Sequence, residues 1–388
     1  MKFIVGELAA AHDDFVNGQP LGNLLQSSRW AKIKNNWGAE ILSVTSDSGE
    51  ILLSSLALIR QLPLGYTMIY LPRGPIGQLT DAAVLSFYFT EVKRWAKSIK
   101  AVFVKFDPAV TYEKSAEFLQ AIEATGARYL DRTENMHDTV QPRFNAMIYR
   151  DDFSEENLDK KTKQFLRKAR NSASEISFGG AELVAEFAAL MKKTEDRKAV
   201  SLRNSDYYKK LLDVYGDDAY ITLVRMDLSA FTADAKAAVE KLQAQLTKTT
   251  NKKRQKQLTE ELSVAEKNLS ALTELIATHG EKVAVAGTLT INVFSAAETI
   301  YAGMDTDFQK YYPSYLAWYE TIVHAFETGA DTLNMGGLEN SLSENDGLLK
   351  FKKHFNPRIE EYVGEFDMPV NRWLYPLVRQ LYKRMRES

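Results

Sequence analysis

The sequence predicts an α+β protein of two tandem domains with a long helical insertion in the second, and three observations predict it. Strand-like and helix-like segments alternate through residues 40–150, a comparable order returns after residue 220, and a stretch free of Pro and Gly at 232–279 interrupts that second half. At 388 residues the chain also exceeds one ordinary core, so two domains of roughly 150–200 residues each are expected.

In the first half, ILLSSLALI (51–59) and AVFVKF (101–106) are apolar runs of strand length bounded by turn residues. Between them, Val84, Leu85, Tyr88, Val92 and Trp95 recur at helical spacing. Phe118, Leu119 and Ile122 mark a second amphipathic helix that stops at Gly126, a residue suited to end one. The second half offers strands at 220–226 and 283–294, then a helix from about residue 314 that stops at Gly329. The two helix ends share a pattern, Thr125-Gly126-Ala127-x-x-Leu130 and Thr328-Gly329-Ala330-x-x-Leu333, which hints at repetition.

In the insertion, Val239, Leu242 and Leu246, then Leu258, Leu262, Ala265, Leu269, Leu272 and Leu275, fall three and four apart, as in the seam of a coiled coil. A polar centre from Thr249 to Arg254 divides the seam, so two antiparallel helices forming an arm about 25–30 Å long are expected. Its tip is basic, with Lys248, Lys252, Lys253, Arg254 and Lys256. A second basic cluster, Lys160, Lys161, Lys163, Arg167, Lys168 and Arg170, has helical spacing over Phe165 and Leu166. For both clusters a solvated face and a phosphate-contacting surface are open readings.

Composition narrows the functions. With 45% hydrophobic and 26% charged residues the chain is globular, and a formal net charge of −2 means that a nucleic-acid partner would be met by local basic patches. The absence of cysteine excludes disulfides, thiolate zinc sites and cysteine nucleophiles. No long apolar run is present and the first residues do not read as a secretory signal, so the expected location is cytoplasmic, at most peripheral at the inner face of the membrane. Motifs of the P-loop, dinucleotide, serine-hydrolase and HExxH types are missing, and the five histidines form no pair at metal-ligand spacing. No metal and no cofactor are expected.

What remains is a set of polar residues beside aromatics, glycine and proline, where loops are expected: Trp30-x-x-x-Lys34-x-x-Trp37-Gly38, Leu71-Pro72-Arg73-Gly74-Pro75, Phe106-Asp107-Pro108, Arg203-x-x-x-Tyr207-Tyr208, Tyr301-Ala302-Gly303 and Phe351-Lys352-x-x-Phe355. Each taken alone also has a structural explanation, such as a turn cap for Arg73 or an Asx turn for Asp107. Together, the cations Lys34, Arg203 and Lys352 with several aromatic rings suit an anionic substrate carrying sugar, base or peptide.

Taken in order with Leu25-Gln26-Ser27-Ser28, Gln141-Pro142-Arg143, Gly336-Gly337-Leu338-Glu339-Asn340 and Val363-Gly364-Glu365-Phe366, these motifs resemble the Fem/MurM (FemABX) aminoacyltransferases over nearly the whole chain, most of all the MurM-like members. The resemblance implies two tandem GNAT-like acyltransferase domains, twisted mixed sheets flanked by helices, with an antiparallel coiled-coil arm in the second. Domain 1 is then residues 1–150 plus about 363–388, domain 2 is 151–362, and the arm is 232–279.

It further implies a non-ribosomal peptidyltransferase. The donor is aminoacyl-tRNA, a co-substrate charged with Ala, Ser or Gly. The acceptor is the side-chain amine of the third stem residue, lysine, of a peptidoglycan precursor, either lipid II or UDP-MurNAc-pentapeptide. Lys34, Trp37, Arg73, Arg203, Tyr207, Tyr301 and Glu365 match substrate-binding positions. Lys352 with Phe351 matches a position for tRNA phosphate or oxyanion stabilisation, and Asp107 a carboxylate considered as general base. Lys160, Lys161, Lys163, Arg167, Lys252, Lys253 and Arg254 become candidates for tRNA or membrane contact. Two rivals are an acyl-CoA-dependent GNAT acetyltransferase, against which stands the lack of a pyrophosphate loop, and a non-catalytic RNA- or protein-binding adaptor.

Overall fold

The computed structural model describes residues 1–130, 135–172, 174–198 and 203–387. Fifteen strands are named in chain order: β1 Lys2–Val5, β2 Gly38–Thr45, β3 Ile51–Gln61, β4 Thr67–Leu71, β5 Ile76–Gly77, β6 Ala101–Phe106, β7 Arg128–Tyr129, β8 Phe144–Tyr149, β9 Glu175–Gly179, β10 Ala219–Asp227, β11 Lys282–Val293, β12 Ala296–Met304, β13 Thr332–Leu338, β14 Arg358–Glu361 and β15 Phe366–Pro369. They form two mixed sheets, ordered β1-β2-β3-β4-β6-β15-β7 with β5 beside β3, and β14-β8-β13-β12-β11-β10-β9.

Each sheet has one parallel pair, β4 with β6 and β12 with β13, and a helix makes each crossover. In the first, Asp81 accepts the N–H groups of Ala83 and Val84 and so starts the Ala82–Ser98 helix, which buries Val84, Leu85, Tyr88, Phe89, Val92 and Ala96. In the second, Pro313 opens the Pro313–Glu327 helix, where its missing N–H costs nothing. Thr328 caps this helix, and the chain turns away through Gly329 at φ 104°.

The sheets exchange strands. After β7 the chain leaves the first sheet, and β8 inserts in the second between β13 and β14, antiparallel to both. After β14 it returns, and β15 inserts between β6 and β7, again antiparallel to both. The change of sheet therefore precedes residue 144, where β8 begins. Period-two alternation identifies a strand, and nothing local in it says which sheet will take that strand.

An ionic cluster fastens the returning strand. Lys105 on β6 is 4% exposed, and its Nζ lies 2.8 Å from Glu365 and 3.0 Å from Asp367. Burial acts against the ammonium, but the two carboxylates outweigh it and raise the lysine pKa. Glu365 also accepts the N–H of Val140, on the segment leading into β8. The two halves share a hydrophobic core in which Leu25, Trp30, Leu56 and Tyr70 meet Phe187, Tyr208, Leu212 and Leu289. Arg29 adds an ion pair to Asp218 at 2.7 Å.

Within the second half, helices Leu228–Lys248 and Lys252–His279 lie against each other, joined by residues 249–251. Asn251 accepts the N–H groups of Lys253 and Arg254, which starts the second helix. Val239, Leu258 and Leu272 are buried and the other seam residues are half-buried. Lys252, Lys253 and Arg254 are exposed in the first turn of that helix.

Replacing Lys105 by Met strands two buried carboxylates and should cost about 3–5 kcal/mol in urea unfolding, part of it recovered by adding Glu365→Gln and Asp367→Asn. A loss under about 1 kcal/mol for the single change would show that the cluster does not hold β15.

Candidate active site

The parallel strands β4 and β6 end side by side, with Leu71 and Phe106 as register partners, so Arg73 and Asp107 follow at one edge of the sheet. Asp107 is 1% exposed and accepts hydrogen bonds from the Arg73 backbone N–H (2.9 Å) and the Tyr70 hydroxyl (3.1 Å). Arg73 has φ 53°, a conformation that costs a non-glycine residue about 1 kcal/mol or more, and the Asp107 bond helps hold it there. The Arg73 guanidinium donates to the Pro142 carbonyl at 2.7 Å and lies 4.2 Å from the Tyr362 ring centroid. Burial pushes the Asp107 carboxyl up to about 7, against the pull of Arg73 and with the help of Glu365.

Gln26, fully buried, gives a physical reason for the Leu25-Gln26-Ser27-Ser28 motif. Its amide donates to the Pro72 carbonyl at 2.5 Å and accepts the Leu56 N–H at 2.9 Å. A side chain on Gly74 would meet that amide at 2.6 Å, so the glycine is required where the loop passes Gln26.

Lys352 is 3% exposed on the Gly347–Lys353 helix, and its Nζ donates to the carbonyls of Gly336 (2.8 Å) and Gly337 (2.9 Å). The pairing of β13 with β8 shifts register between Asn334 and Gly337, Gly336 sits at φ 88°, and a Cβ on Gly337 would strike Pro142 at 2.4 Å. The two glycines thus form a bulge that presents carbonyls to Lys352 while passing close to Pro142. Lys352, Gly337, Pro142, Arg73 and Asp107 form one chain of contacts across the two sheets. Phe351 packs on Tyr315 and Phe355 in the core beneath.

Lys34, Arg203, Tyr207 and Tyr301 form a second group. Arg203 lies 5.1 Å from the Tyr207 ring, Tyr207 stands edge-on to Tyr301 at 6.4 Å, and Lys34 lies 5.3 Å from the Trp30 ring. Burial, then the charges of Arg203 and Lys210, lower the Lys34 pKa, as expected where cations crowd together. Burial likewise raises the Tyr301 hydroxyl. Both groups border the same interdomain core, through Tyr70 on one hand and Tyr207 and Tyr301 on the other.

Beside Tyr362 a cleft of about 290 Å³ opens between the halves, with Leu21, Lys114, Glu298, Asn334, Glu360 and Tyr362 among its walls. Glu298 lies deep in it yet keeps part of its surface open, and burial raises its carboxyl pKa.

Three kinds of comparison bear on the family. A profile described as the FemAB family matches residues 9–383. The chain belongs to the FemAB family. FemAB-type relatives include the "Lipid II:glycine glycyltransferase" of Staphylococcus haemolyticus (strain JCSC1435), 28% identical over 399 residues, covering 97% of this chain and 95% of that one. That of Staphylococcus aureus (strain bovine RF122 / ET3-1) is 28% identical over 401 residues at the same coverage. The solved structure titled "Crystal structure of FemX" superposes with TM-score 0.80 at 26% identity, covering 97% of this chain and all of that one. The structure of L-PGS from Bacillus licheniformis shares the fold alone, with TM-score 0.51 and 11% identity over 97% of this chain and 96% of that one.

Several site residues of this FemAB chain stand elsewhere than the sequence indicated. Tyr301 lies within β12, Tyr207 in the Ser205–Tyr215 helix and Lys352 in a helix, not in loops. Tyr301-Ala302-Gly303 stands where a loop is expected, but Gly303 is there because a Cβ would meet Met191 Sδ at 3.0 Å, where a helix crosses close to the strand. Trp37 packs against the shared core and against the cluster of Met68, Val102, Phe103 and Tyr375, with Arg60 5.6 Å from its ring. Glu365 is 4% exposed and both its oxygens are taken by protein donors. Lys160, Lys163 and Arg167 line a surface hollow of about 510 Å³, with Lys161 exposed beside them and Arg170 paired to Glu155 at 2.8 Å. Sequence reasoning missed Tyr70, Lys105, Lys210 and Glu298. Only Lys105 left a signal, as the lone charge in an apolar strand.

His279, Asp305 and Asp307 bring ligand atoms within 4.8 Å, but Lys193 already donates to Asp305 and His279 bonds Asp307 at 2.9 Å. That cluster already has hydrogen-bond partners within the chain.

The raised Asp107 carboxyl has a stability consequence. Its proton is held in the folded chain from about pH 4, the unfolded value, up to about pH 7, so its contribution is full below that window and lost across it. Asp107→Asn should remove a slope of at most about 1.4 kcal/mol per pH unit from urea-unfolding stability between those limits. Parallel pH profiles for the two proteins would contradict the raised carboxyl.

Proposed function

We propose that this chain is an aminoacyl-tRNA-dependent aminoacyltransferase. It moves an aminoacyl group to the side-chain amine of the third stem residue, lysine, of a peptidoglycan precursor. The observation that carries this reading is the pairing of a crowded cationic, aromatic cluster with a buried lysine at a glycine bulge, in a chain similar over 97% of its length to a lipid II:glycine glycyltransferase.

The two groups divide the work. Lys34 and Arg203, with Tyr207 and Tyr301, hold the acceptor's diphosphate and sugar, since crowded cations gain from a shared anion between them. The amine nitrogen attacks the ester carbonyl carbon of the charged tRNA, the C–N bond forms and the C–O bond to the terminal ribose breaks. The proton leaves with the ribose oxygen, which departs as a hydroxyl. Lys352 supplies positive charge near the carbonyl oxygen where negative charge gathers. Alignment provides much of the rest, because an ester is already activated toward an amine.

Asp107 is better placed to support than to take a proton from the amine. It is 1% exposed, and its two oxygens accept from Arg73 and Tyr70. We read it as the residue that positions the Arg73 loop, and Glu365 as the support beneath it. We read each half as a GNAT-like acyltransferase unit, supported by the helix crossover between one parallel strand pair in each sheet. The helix pair at 228–279 is read as a coiled-coil arm. Its tip, with Lys252, Lys253 and Arg254, and the hollow lined by Lys160, Lys163 and Arg167 are read as contacts for tRNA phosphates. Such work places the protein in the cytoplasm, beside the membrane that carries lipid II. Among the described residues no helix is long and apolar enough to cross it.

The test is transfer of radiolabel from alanyl-, seryl- and glycyl-tRNA to lipid-linked and UDP-linked lysine pentapeptides. One donor–acceptor pair should react, and Lys352→Ala should lower the rate by about 100-fold or more. No transfer from any charged tRNA to either acceptor would refute the reading.

A further inference from the structure

At the end of β4 and β6 opposite the Arg73 loop, the chain exposes an apolar stripe that no described element covers. Trp373 is 94% exposed, and Leu377 and Leu381 follow at intervals of four residues, 57% and 49% exposed, along the start of the Tyr375–Glu387 helix. Leu374, Val378 and Tyr382 face inward on a cluster of Met68, Val102, Phe103 and Tyr375, against which Leu62 and Tyr66 also pack. Between Leu62 and Tyr66, which pack on that cluster, the chain turns at Leu64, 92% exposed.

Cations surround the stripe. Lys93, Lys97, Lys100 and Arg372 line a hollow with Tyr66 and Trp373. Burial and then the charges of Arg372 and Lys97 lower the Lys93 pKa, so this group is electrostatically crowded. From residue 370 to 386 the chain carries Arg372, Arg379, Lys383, Arg384 and Arg386 and no Asp or Glu.

We propose that this face docks on the surface of an anionic lipid bilayer. Trp373, Leu377, Leu381 and Leu64 enter the headgroup boundary, and Lys93, Lys97, Lys100 and Arg372 pair with lipid phosphates. An amphipathic helix with an interfacial tryptophan and a basic rim is the chemistry that lies in a bilayer surface without crossing it. A second copy of this chain is disfavoured as occupant, because a self-complementary contact would set one cationic rim against another. A wet, cationic surface of RNA-binding type would not present a bare leucine stripe beside its charges. The face lies one strand length, about 17 Å, from the Arg73 loop, so docking leaves that loop clear of the lipid. The proposal stands on this surface alone and does not depend on the reaction read above.

The experiment is co-flotation of the full chain with vesicles of phosphatidylglycerol and phosphatidylcholine, and with phosphatidylcholine alone. The unchanged protein should float with the anionic vesicles at low salt and be released at high salt. Trp373→Ser with Leu377→Ser, and separately Lys97→Glu with Arg372→Glu, should each weaken this about tenfold or more, with the melting temperature retained. No flotation of the unchanged protein, or equal flotation of the variants, would overturn the proposal. So would loss of self-association in the variants at unchanged vesicle binding, which would make the face a contact between copies.

Discussion

The arrangement depends on one buried ion cluster at the point where two strands change places. Lys105 lies between Glu365 and Asp367, and Glu365 reaches on to the backbone of Val140. Those contacts tie β6, the returning β15 and the segment entering β8 together. Because β8 completes the second sheet and β15 the first, neither half closes without a strand supplied from the other side of the exchange. A buried lysine with two carboxylates gains little over an apolar core of the same shape, but it tolerates only one register of the strands that bring it together.

That register places the site. Arg73 is held in a left-handed conformation by Asp107, reaches Pro142 at the entrance of β8, and stacks on Tyr362 at the exit of β14. Pro142 presses on Gly337, whose carbonyl accepts from Lys352. Each link is a close contact with little slack, so the lysine on a helix of the second half is positioned relative to a loop of the first. The cationic pair Lys34 and Arg203 instead stands just beyond the ends of two helices, Trp30–Ile33 and Ser205–Tyr215, packed on the shared core, which leaves it open to a large anionic ligand.

Local elements were legible because their signals are local. The Ala82–Ser98 helix follows from its apolar spacing and from Asp81 as cap, and the paired helices at 228–279 from nine apolar positions that all turn out buried or half-buried. The exchange was not legible from patterning, since FNAMIY at 144–149 announces a strand and not its sheet. The glycine motifs misled in an instructive way. Tyr301-Ala302-Gly303 looked like a loop, yet it is a strand under a close helix, and Gly336-Gly337 is a bulge in which Gly336 takes φ 88° and Gly337 clears Pro142. Asp107 was found by its motif but not its burial, which decides its chemistry, and Glu298 left no sequence signal at all.

The central claim is that acceptor binding and bond making are divided between the Lys34–Arg203 cluster and the Arg73–Lys352 chain of contacts. Calorimetric titration of the UDP-linked pentapeptide into the unchanged protein, Lys34→Ala and Lys352→Ala tests it most directly. The account predicts at least about tenfold weaker binding for Lys34→Ala and a change within about twofold for Lys352→Ala. The reverse pattern, with affinity kept in Lys34→Ala and lost in Lys352→Ala, would contradict it.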